Sequence, residues 1–178
     1  KKTVQDEPLL ALSLATNCKI QYLENLFSDE SVEGGKNKSG YTALSINAWH
    51  GNLDSLKELL TKGVDIDEKI ADGSTALMIA ALSGENIDCL KVLLAAGADI
   101  EAKNNHGDTA LIHAAANGKV ECVKLLLGVP ADKEAKSNNG WTALMMAAEN
   151  GSVECLQLLL EAESDKEAIN KDGWTALM

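Results

Sequence analysis

The apolar residues of this chain fall into two kinds of short segment that alternate along the sequence. Residues 143–173 show both kinds. ALMMAAENG is rich in alanine and ends at a glycine. SVECLQLLLEA places four apolar residues on one face at helical spacing, Val153, Leu156, Leu159 and Leu160. The polar stretch ESDKEAINKDG follows and ends in Asp-Gly, which favours a tight turn. The pattern predicts two short helices and a turn.

This unit recurs with a period of 33 or 34 residues. Each unit opens with Gly-x-Thr-Ala-Leu, at Gly40, Gly73, Gly107, Gly140 and Gly173. The threonine is a favoured helix N-cap, and a second glycine, at Gly51, Gly84, Gly118 and Gly151, can end the first helix in a left-handed conformation. One extra residue lies between Gly84 and Cys89, in the predicted turn between the helices. Because two short helices cannot bury their apolar faces alone, the units are expected to stack.

The first helix of a unit carries the motif G-x-T-A-L-x-x-A-A-x-x-G, as in DGSTALMIAALSG. The end of the second helix and the segment after it read VLLAAGADIEAKN in the same unit. Together these two segments resemble the ankyrin repeat. The resemblance implies an all-α solenoid of helix-turn-helix units with short β-turn or hairpin fingers. A tetratricopeptide array has a similar period, but it lacks the Gly-x-Thr opening and the polar finger. The predicted units are an N-terminal extension at 1–7, a degenerate first or capping repeat at 8–39, full repeats at 40–72, 73–106, 107–139 and 140–172, and the start of another at 173–178. Further ankyrin repeats are therefore expected beyond Met178.

Two departures from the family pattern predict local differences. The family usually has histidine where this chain has Ser45, Met78, Ile112, Met145 and Met178. The resemblance implies that this histidine ties neighbouring fingers together, so weaker finger order is expected here. Gly63 and Gly97 match the family's glycine after the second helix, whereas Pro130 and Glu163 do not. Those two helices are expected to end differently, with distortion or weaker capping.

Composition excludes several classes of partner. The formal charge is −11, from 27 acidic and 16 basic residues, and every base is lysine. A chain that repels polyanions and lacks arginine for phosphate and guanine contacts is not expected to bind nucleic acid or anionic membranes. No apolar run approaches the ~20 residues that span a bilayer, so membrane insertion is not expected.

No residue set predicts chemistry. Cys89, Cys122 and Cys155 occupy one slot in successive repeats, but stacked helices lie ~8–10 Å apart, too far for a disulfide or a shared zinc. They are interpreted as small buried apolar residues, and unpaired thiols favour a reducing, cytoplasmic location. The histidines lack triad or metal-site spacing, and the acidic stretch GVDIDEK lacks the length and distal glutamate of a calcium loop. We expect no catalytic, cofactor or metal site.

Aromatic residues give the best indication of a binding face. All three tryptophans and Tyr41 fall where ankyrin repeats vary and meet partners, beside the opening glycine or just before the second one. An aromatic after the opening glycine is common in the family and packs on the next finger, whereas the slot of Trp49 usually holds a small or polar residue. Trp49 is therefore the residue that we most expect to contact a protein partner. The predicted partner-binding residues are Tyr41, Trp49, His50, Ser74, Leu82, His106, Asp108, Asn117, Asn139, Trp141, Glu149 and Trp174.

The predicted function is a non-catalytic protein-binding module, a scaffold or adaptor that meets another protein through its fingers and concave inner helices. Two alternatives stay open: a targeting or regulatory region of a larger enzyme or host-directed effector, and a structural subunit of a large assembly.

The charge is distributed unevenly along the chain. Residues 107–139 hold 4 acids and 4 lysines, whereas 140–172 hold 7 acids and 2 lysines, an excess of 7 − 2 = 5. A solvated outer face explains this excess, and steering of a basic partner is the alternative.

Overall fold

The computed structural model describes residues 36, 37 and 40–178. The predictions for 1–35, which include most of the degenerate first repeat, lie outside the described residues. Within the described part the chain forms eight α-helices, and its only bridge pairing is an isolated one between Lys36 and Thr42. The helices are α1 (Ala43–His50), α2 (Leu53–Thr61), α3 (Ala76–Ser83), α4 (Ile87–Ala95), α5 (Ala110–Ala116), α6 (Val120–Leu127), α7 (Ala143–Glu149) and α8 (Val153–Glu161).

The odd-numbered helices begin at the predicted threonine caps. The hydroxyl oxygens of Thr42, Thr75, Thr109 and Thr142 each accept a hydrogen bond from the backbone amide three residues on, at 3.0 to 3.5 Å. Such a cap contributes about 1 kcal/mol to helix stability. Gly51 and Gly84 end α1 and α3 in the left-handed conformation. The extra residue is Glu85, which lies between Gly84 and the N-cap Asn86, as predicted.

The helices form two layers. The inner layer consists of α1, α3, α5 and α7, each packed on the next, and the outer layer of α2, α4, α6 and α8 packs behind it. Inner helices are buried on nearly every side, and all residues of α3 except Leu82 are buried. Outer helices bury one stripe, for example Leu90 and Leu93 in α4. The face predicted for α8 is wrong in part, because Leu159 is buried but Val153 and Leu160 are 57% and 48% exposed. The predicted all-α stack is therefore confirmed.

Of the two outer helices expected to end differently, α6 does so and α8 does not. After α2 and α4, Gly63 and Gly97 take the left-handed conformation, with φ of 72° and 88°. Glu163 takes the same conformation after α8, at φ 60°, and is the one non-glycine residue with positive φ in the part of the chain that the structure describes. After α6 the chain instead turns at Gly128 with a right-handed backbone, φ −77°, before it reaches Pro130.

The fingers are linked by groups that the sequence analysis did not identify. Lys36, Lys69, Lys103 and Lys136, which we call the lysine ladder, each donate a hydrogen bond from Nζ to a backbone carbonyl of the following finger, at 2.8 to 3.3 Å. In addition, the side-chain nitrogen Nδ2 of Asn104, in a finger, lies 3.2 Å from Nε2 of the buried His113 in α5. The loss of the family's histidine therefore does not leave the fingers unlinked.

Candidate partner-binding face

The fingers between the helix pairs are narrow turns with a repeated geometry. In five of them a backbone amide donates to the carbonyl four residues on, at 2.8 to 3.1 Å: Asn37 to Tyr41, Ile70 to Ser74, Asn104 to Asp108, Ser137 to Trp141 and Asn170 to Trp174. A glycine with φ near +80° sits in each of these turns. At Gly107 a Cβ would also lie 2.6 Å from the backbone nitrogen of Asn138, in the next finger. Gly73, Gly107 and Gly140 are therefore needed both for the turn and for the close approach of the next finger, whereas at Gly173 an added Cβ would meet nothing within 4 Å and the turn alone favours glycine.

Main-chain hydrogen bonds hold one finger against the next. The amide of Asn105 donates to the carbonyl of Asp72, and that of Asn138 donates to His106, at 2.9 and 2.8 Å. The amide of Lys171 donates in the same way to Asn139 at 3.0 Å. Because the backbone makes these contacts, the spacing of the fingers does not depend on which side chains they present. Side chains in equivalent positions consequently form a regular row. We call the predicted contact residues on the fingers the finger row: Tyr41, Ser74, His106, Asp108, Asn139, Trp141 and Trp174.

The structure presents the predicted finger-row residues unequally. Trp174 is 54% exposed, and Tyr41, His106, Asn139 and Trp141 are half-buried. Ser74 and Asp108 are each only 1% exposed, and the hydroxyl oxygen of Ser74 and Oδ1 of Asp108 have no hydrogen-bond partner. In the slot after the opening glycine, these short side chains remain covered, whereas the indole of Trp141 stays partly accessible. Ser74 and Asp108 are therefore not part of the proposed contact surface.

The second row, which we call the inner-helix row, consists of residues near the carboxyl ends of the inner helices. His50 and Glu149 are exposed, and Trp49, Leu82 and Asn117 are half-buried. Trp49 and Leu82 also pack against the core. The expectation that the slot of Trp49 faces solvent therefore holds only in part, because some of the indole surface covers the core. The rest of the Trp49 indole is a partly exposed aromatic surface, and rigid aromatic surfaces are favoured at protein interfaces.

Three of the predicted residues line a single groove. Trp141, Trp174 and Glu149 line a cavity of about 260 Å³ at the end of the stack, and its lining also includes Met145, Ala148 and residues 175–178. Partial burial raises the pKa of the Glu149 carboxyl, although the residue as a whole is exposed. The sequence placed these residues in the contact set but did not show that they meet. The sequence feature that could have indicated it is that Trp141 and Trp174 occupy the same slot in successive units.

The cysteines behave as the sequence predicted. Cys89, Cys122 and Cys155 are free thiols, buried in the outer helices. Burial raises the pKa of all three, and that of Cys122 to about 11. A buried neutral thiol is a poor nucleophile and a poor metal ligand. Among residues 36, 37 and 40–178, no three histidine, cysteine or acidic side chains are grouped so that they could hold a metal ion.

Two further findings bear on function. No helix in the described part of the chain combines the length and the apolar character needed to cross a membrane. A comparison with protein families finds that the model described as ankyrin repeats (3 copies) matches residues 44–137 and 129–178. The matched residues run from the first turn of α1 through α8 and beyond, so they include both rows of the candidate face except Tyr41.

Proposed function

We propose that this chain, which belongs to the ankyrin-repeat family, is a non-catalytic scaffold or adaptor that binds one protein partner through the finger row and the inner-helix row. Ankyrin repeats are generally protein–protein interaction modules, and ankyrin-repeat domains are typically non-catalytic. The scaffold or adaptor role, the single partner and the residues that meet it are the part that we add. The proposed contact residues are Tyr41, Trp49, His50, Leu82, His106, Asn117, Asn139, Trp141, Glu149 and Trp174.

The observation that supports this proposal most strongly is the partly exposed aromatic surface on a backbone-linked frame. Trp141 and Trp174 occupy the same slot in successive fingers, and Trp49 lies near the carboxyl end of α1. The frame is held by finger-to-finger main-chain bonds at Asn105 and Asn138. A surface that is already ordered loses less conformational entropy on binding, so more of the contact energy remains as affinity.

We further propose that the protein works in a reducing, cytoplasmic setting. Three thiols in the described residues are unpaired and buried. Proteins in oxidising compartments rarely keep several cysteines in this state, although burial itself protects them. The acidic composition argues against nucleic acid as the partner, since a net charge of −11 repels phosphates.

Partner capture on the intact immobilised chain, followed by affinity measurements with the purified partner, tests the proposal. The variant is Trp49→Ala, and the matched control is Lys124→Ala, on the exposed face of α6. A tryptophan anchor contributes upward of about 2 kcal/mol, so we expect Trp49→Ala to weaken binding roughly 30-fold. The control is expected to change affinity less than twofold. A circular dichroism melt confirms that each variant is folded. A change of less than threefold for folded Trp49→Ala would refute the contact.

A further inference from the structure

We propose that Asn139 is a site of spontaneous covalent modification, because the fold favours the loss of its side-chain amide over that of the other two asparagines that precede a glycine. The product is an aspartate or an isoaspartate at position 139, and the co-reactant is water. Asn139 is the finger-row residue before Gly140. The other two Asn-Gly pairs, Asn117-Gly118 and Asn150-Gly151, follow the inner helices α5 and α7.

The reaction involves only the two residues of the pair and water, with no electron donor or acceptor. The backbone nitrogen of Gly140 attacks Cγ of Asn139, so an N–Cγ bond forms and the Cγ–Nδ2 bond breaks. The amide proton of Gly140 leaves with Nδ2 as ammonia, and a succinimide ring remains. Water then opens the ring at the side-chain carbonyl to give aspartate, or at the backbone carbonyl to give isoaspartate. Glycine permits the attack because it has no Cβ to obstruct it.

Burial and backbone geometry do not distinguish the three pairs. Each asparagine is half-buried, and each following glycine has a positive φ, between 61° and 82°. The amide of each glycine donates to the carbonyl three residues before it, at 2.9 to 3.2 Å. This hydrogen bond restrains the attacking nitrogen at every pair, so it slows the reaction without selecting one site.

The side-chain amides do distinguish them. Nδ2 of Asn117 donates to the carbonyl of His113 at 2.8 Å, and Nδ2 of Asn150 donates to that of Met146 at 2.9 Å. A carbonyl only accepts, so the nitrogen of each side chain must face it. Both bonds direct the side chain back along its own helix and away from the following glycine. Cyclisation at either pair therefore requires this hydrogen bond to break first.

The side chain of Asn139 has no restraint of this kind. Among the residues that the structure describes, it makes no hydrogen bond, and only its backbone carbonyl is engaged, by the amide of Lys171 at 3.0 Å. A typical net hydrogen bond slows a step that must break it by about fivefold. We therefore expect Asn139 to lose its amide about fivefold faster than Asn117 or Asn150 in the folded chain.

The modification changes both the charge and the backbone of this finger. Either product adds a carboxylate to the finger row, two residues before Trp141. Isoaspartate also routes the main chain through Cγ, which lengthens it by one methylene group and turns the former backbone carbonyl into the free carboxylate. That carbonyl is the acceptor for the amide of Lys171. Isoaspartate therefore disturbs the main-chain link between the fingers 137–141 and 170–174.

Storage of the intact folded chain at mildly alkaline pH, followed by peptide mass spectrometry, tests the inference. Each site is scored by the mass gain that accompanies replacement of the amide nitrogen by oxygen, and fragmentation distinguishes isoaspartate from aspartate. Asn117 and Asn150 are the internal controls. The same incubation in guanidinium chloride gives the rates without the fold, and there the three pairs are expected to react within twofold of one another.

Asn139→Asp adds the charge without lengthening the backbone, so it separates the two consequences. Hydrogen–deuterium exchange at Lys171 is expected to be at least fivefold faster in the isoaspartate form, purified from the stored chain, than in the unmodified chain. In Asn139→Asp it should stay within twofold. Equal exchange in these two forms would refute the effect on the link between the fingers.

Three results would each overturn the assignment of the site: a rate at Asn117 or Asn150 equal to that at Asn139 in the folded chain, no product at Asn139 while the unfolded chain reacts, or the same preference for Asn139 in guanidinium chloride. The last result would mean that neighbouring residues in the sequence, and not the fold, select the site. None of these measurements uses a partner, so the inference is judged independently of the proposed function.

Discussion

The left-handed backbone at Glu163 gives the most quantitative prediction, which is that Glu163→Gly stabilises the protein. Glu163 has φ 60°, in the region that Gly63 and Gly97 occupy after the equivalent helices. Its backbone amide donates to the carbonyl of Leu160 at 2.9 Å, and glycine keeps that hydrogen bond. The substitution therefore changes the backbone strain and leaves the turn intact.

The magnitude follows from two opposing contributions. A residue with a Cβ loses about 1–2 kcal/mol in the left-handed conformation, and this strain is relieved in Glu163→Gly. Glycine also makes the unfolded chain more flexible, which costs about 0.4–1 kcal/mol. The expected net gain is about 0.5–1 kcal/mol, or about 1–4 °C in melting temperature for a chain of this size.

Urea denaturation followed by circular dichroism measures this gain, and two variants separate its causes. Glu163→Gln removes the same negative charge but keeps the Cβ, so the difference between the two variants at this position isolates the backbone contribution. Gly97→Ala makes the reverse change at φ 88°, where an added Cβ would meet nothing within 4 Å. It is expected to destabilise by about 0.5–1 kcal/mol, because strain alone is introduced. If Glu163→Gly is no more stable than Glu163→Gln, the strain argument is wrong.

Two further predictions concern the lysine ladder and the buried thiols. Lys103→Met keeps the stem but removes the donor to the carbonyl of Lys136, so we expect a loss of about 0.5–1 kcal/mol and faster amide exchange at 137–141. Lys124→Met is the control, and equal exchange in both variants would refute a role for the ladder. Burial raises the pKa of Cys122 from 9.0 to about 11, so the folded state favours the neutral thiol. This contribution to stability is complete below pH 9 and lost as the pH rises towards 11. Between pH 8 and 10.5, urea denaturation should therefore show a larger loss for the wild type than for Cys122→Ala, and equal losses would contradict this origin.

The local features of the fold were predictable from the sequence because each depends on residues close together in the chain. A threonine three residues before a free amide caps a helix wherever it occurs, and Thr42 and Thr142 do so here. Apolar spacing identified the buried Leu159 of α8, but it also placed Val153 and Leu160 on that face, and the structure leaves both exposed. The different end of α6 was predictable, because this unit lacks the glycine found after α2 and α4, whereas α8 keeps the left-handed turn with Glu163 in place of glycine.

The contacts between units were not predictable in the same way. The lysine ladder joins residues that are 33 or 34 positions apart, and exposed lysines carry no periodic apolar signal. One slot also gives opposite outcomes: Asp108 is buried, whereas Trp174 is 54% exposed. The size of the side chain and the cover provided by the neighbouring finger decide between these outcomes, and that cover is not visible in a single repeat. The boundaries of the repeats and the contact residues remain predictions.

Hydrogen–deuterium exchange on the complex with the captured partner tests the central claim most directly. The finger segments 70–74, 104–108, 137–141 and 170–174 and the carboxyl ends of α1, α3, α5 and α7 are expected to gain protection. The exposed sides of α2, α4, α6 and α8 are expected to exchange as in the free chain. Protection confined to those outer helices, with the fingers unchanged, would contradict the assignment of the binding face.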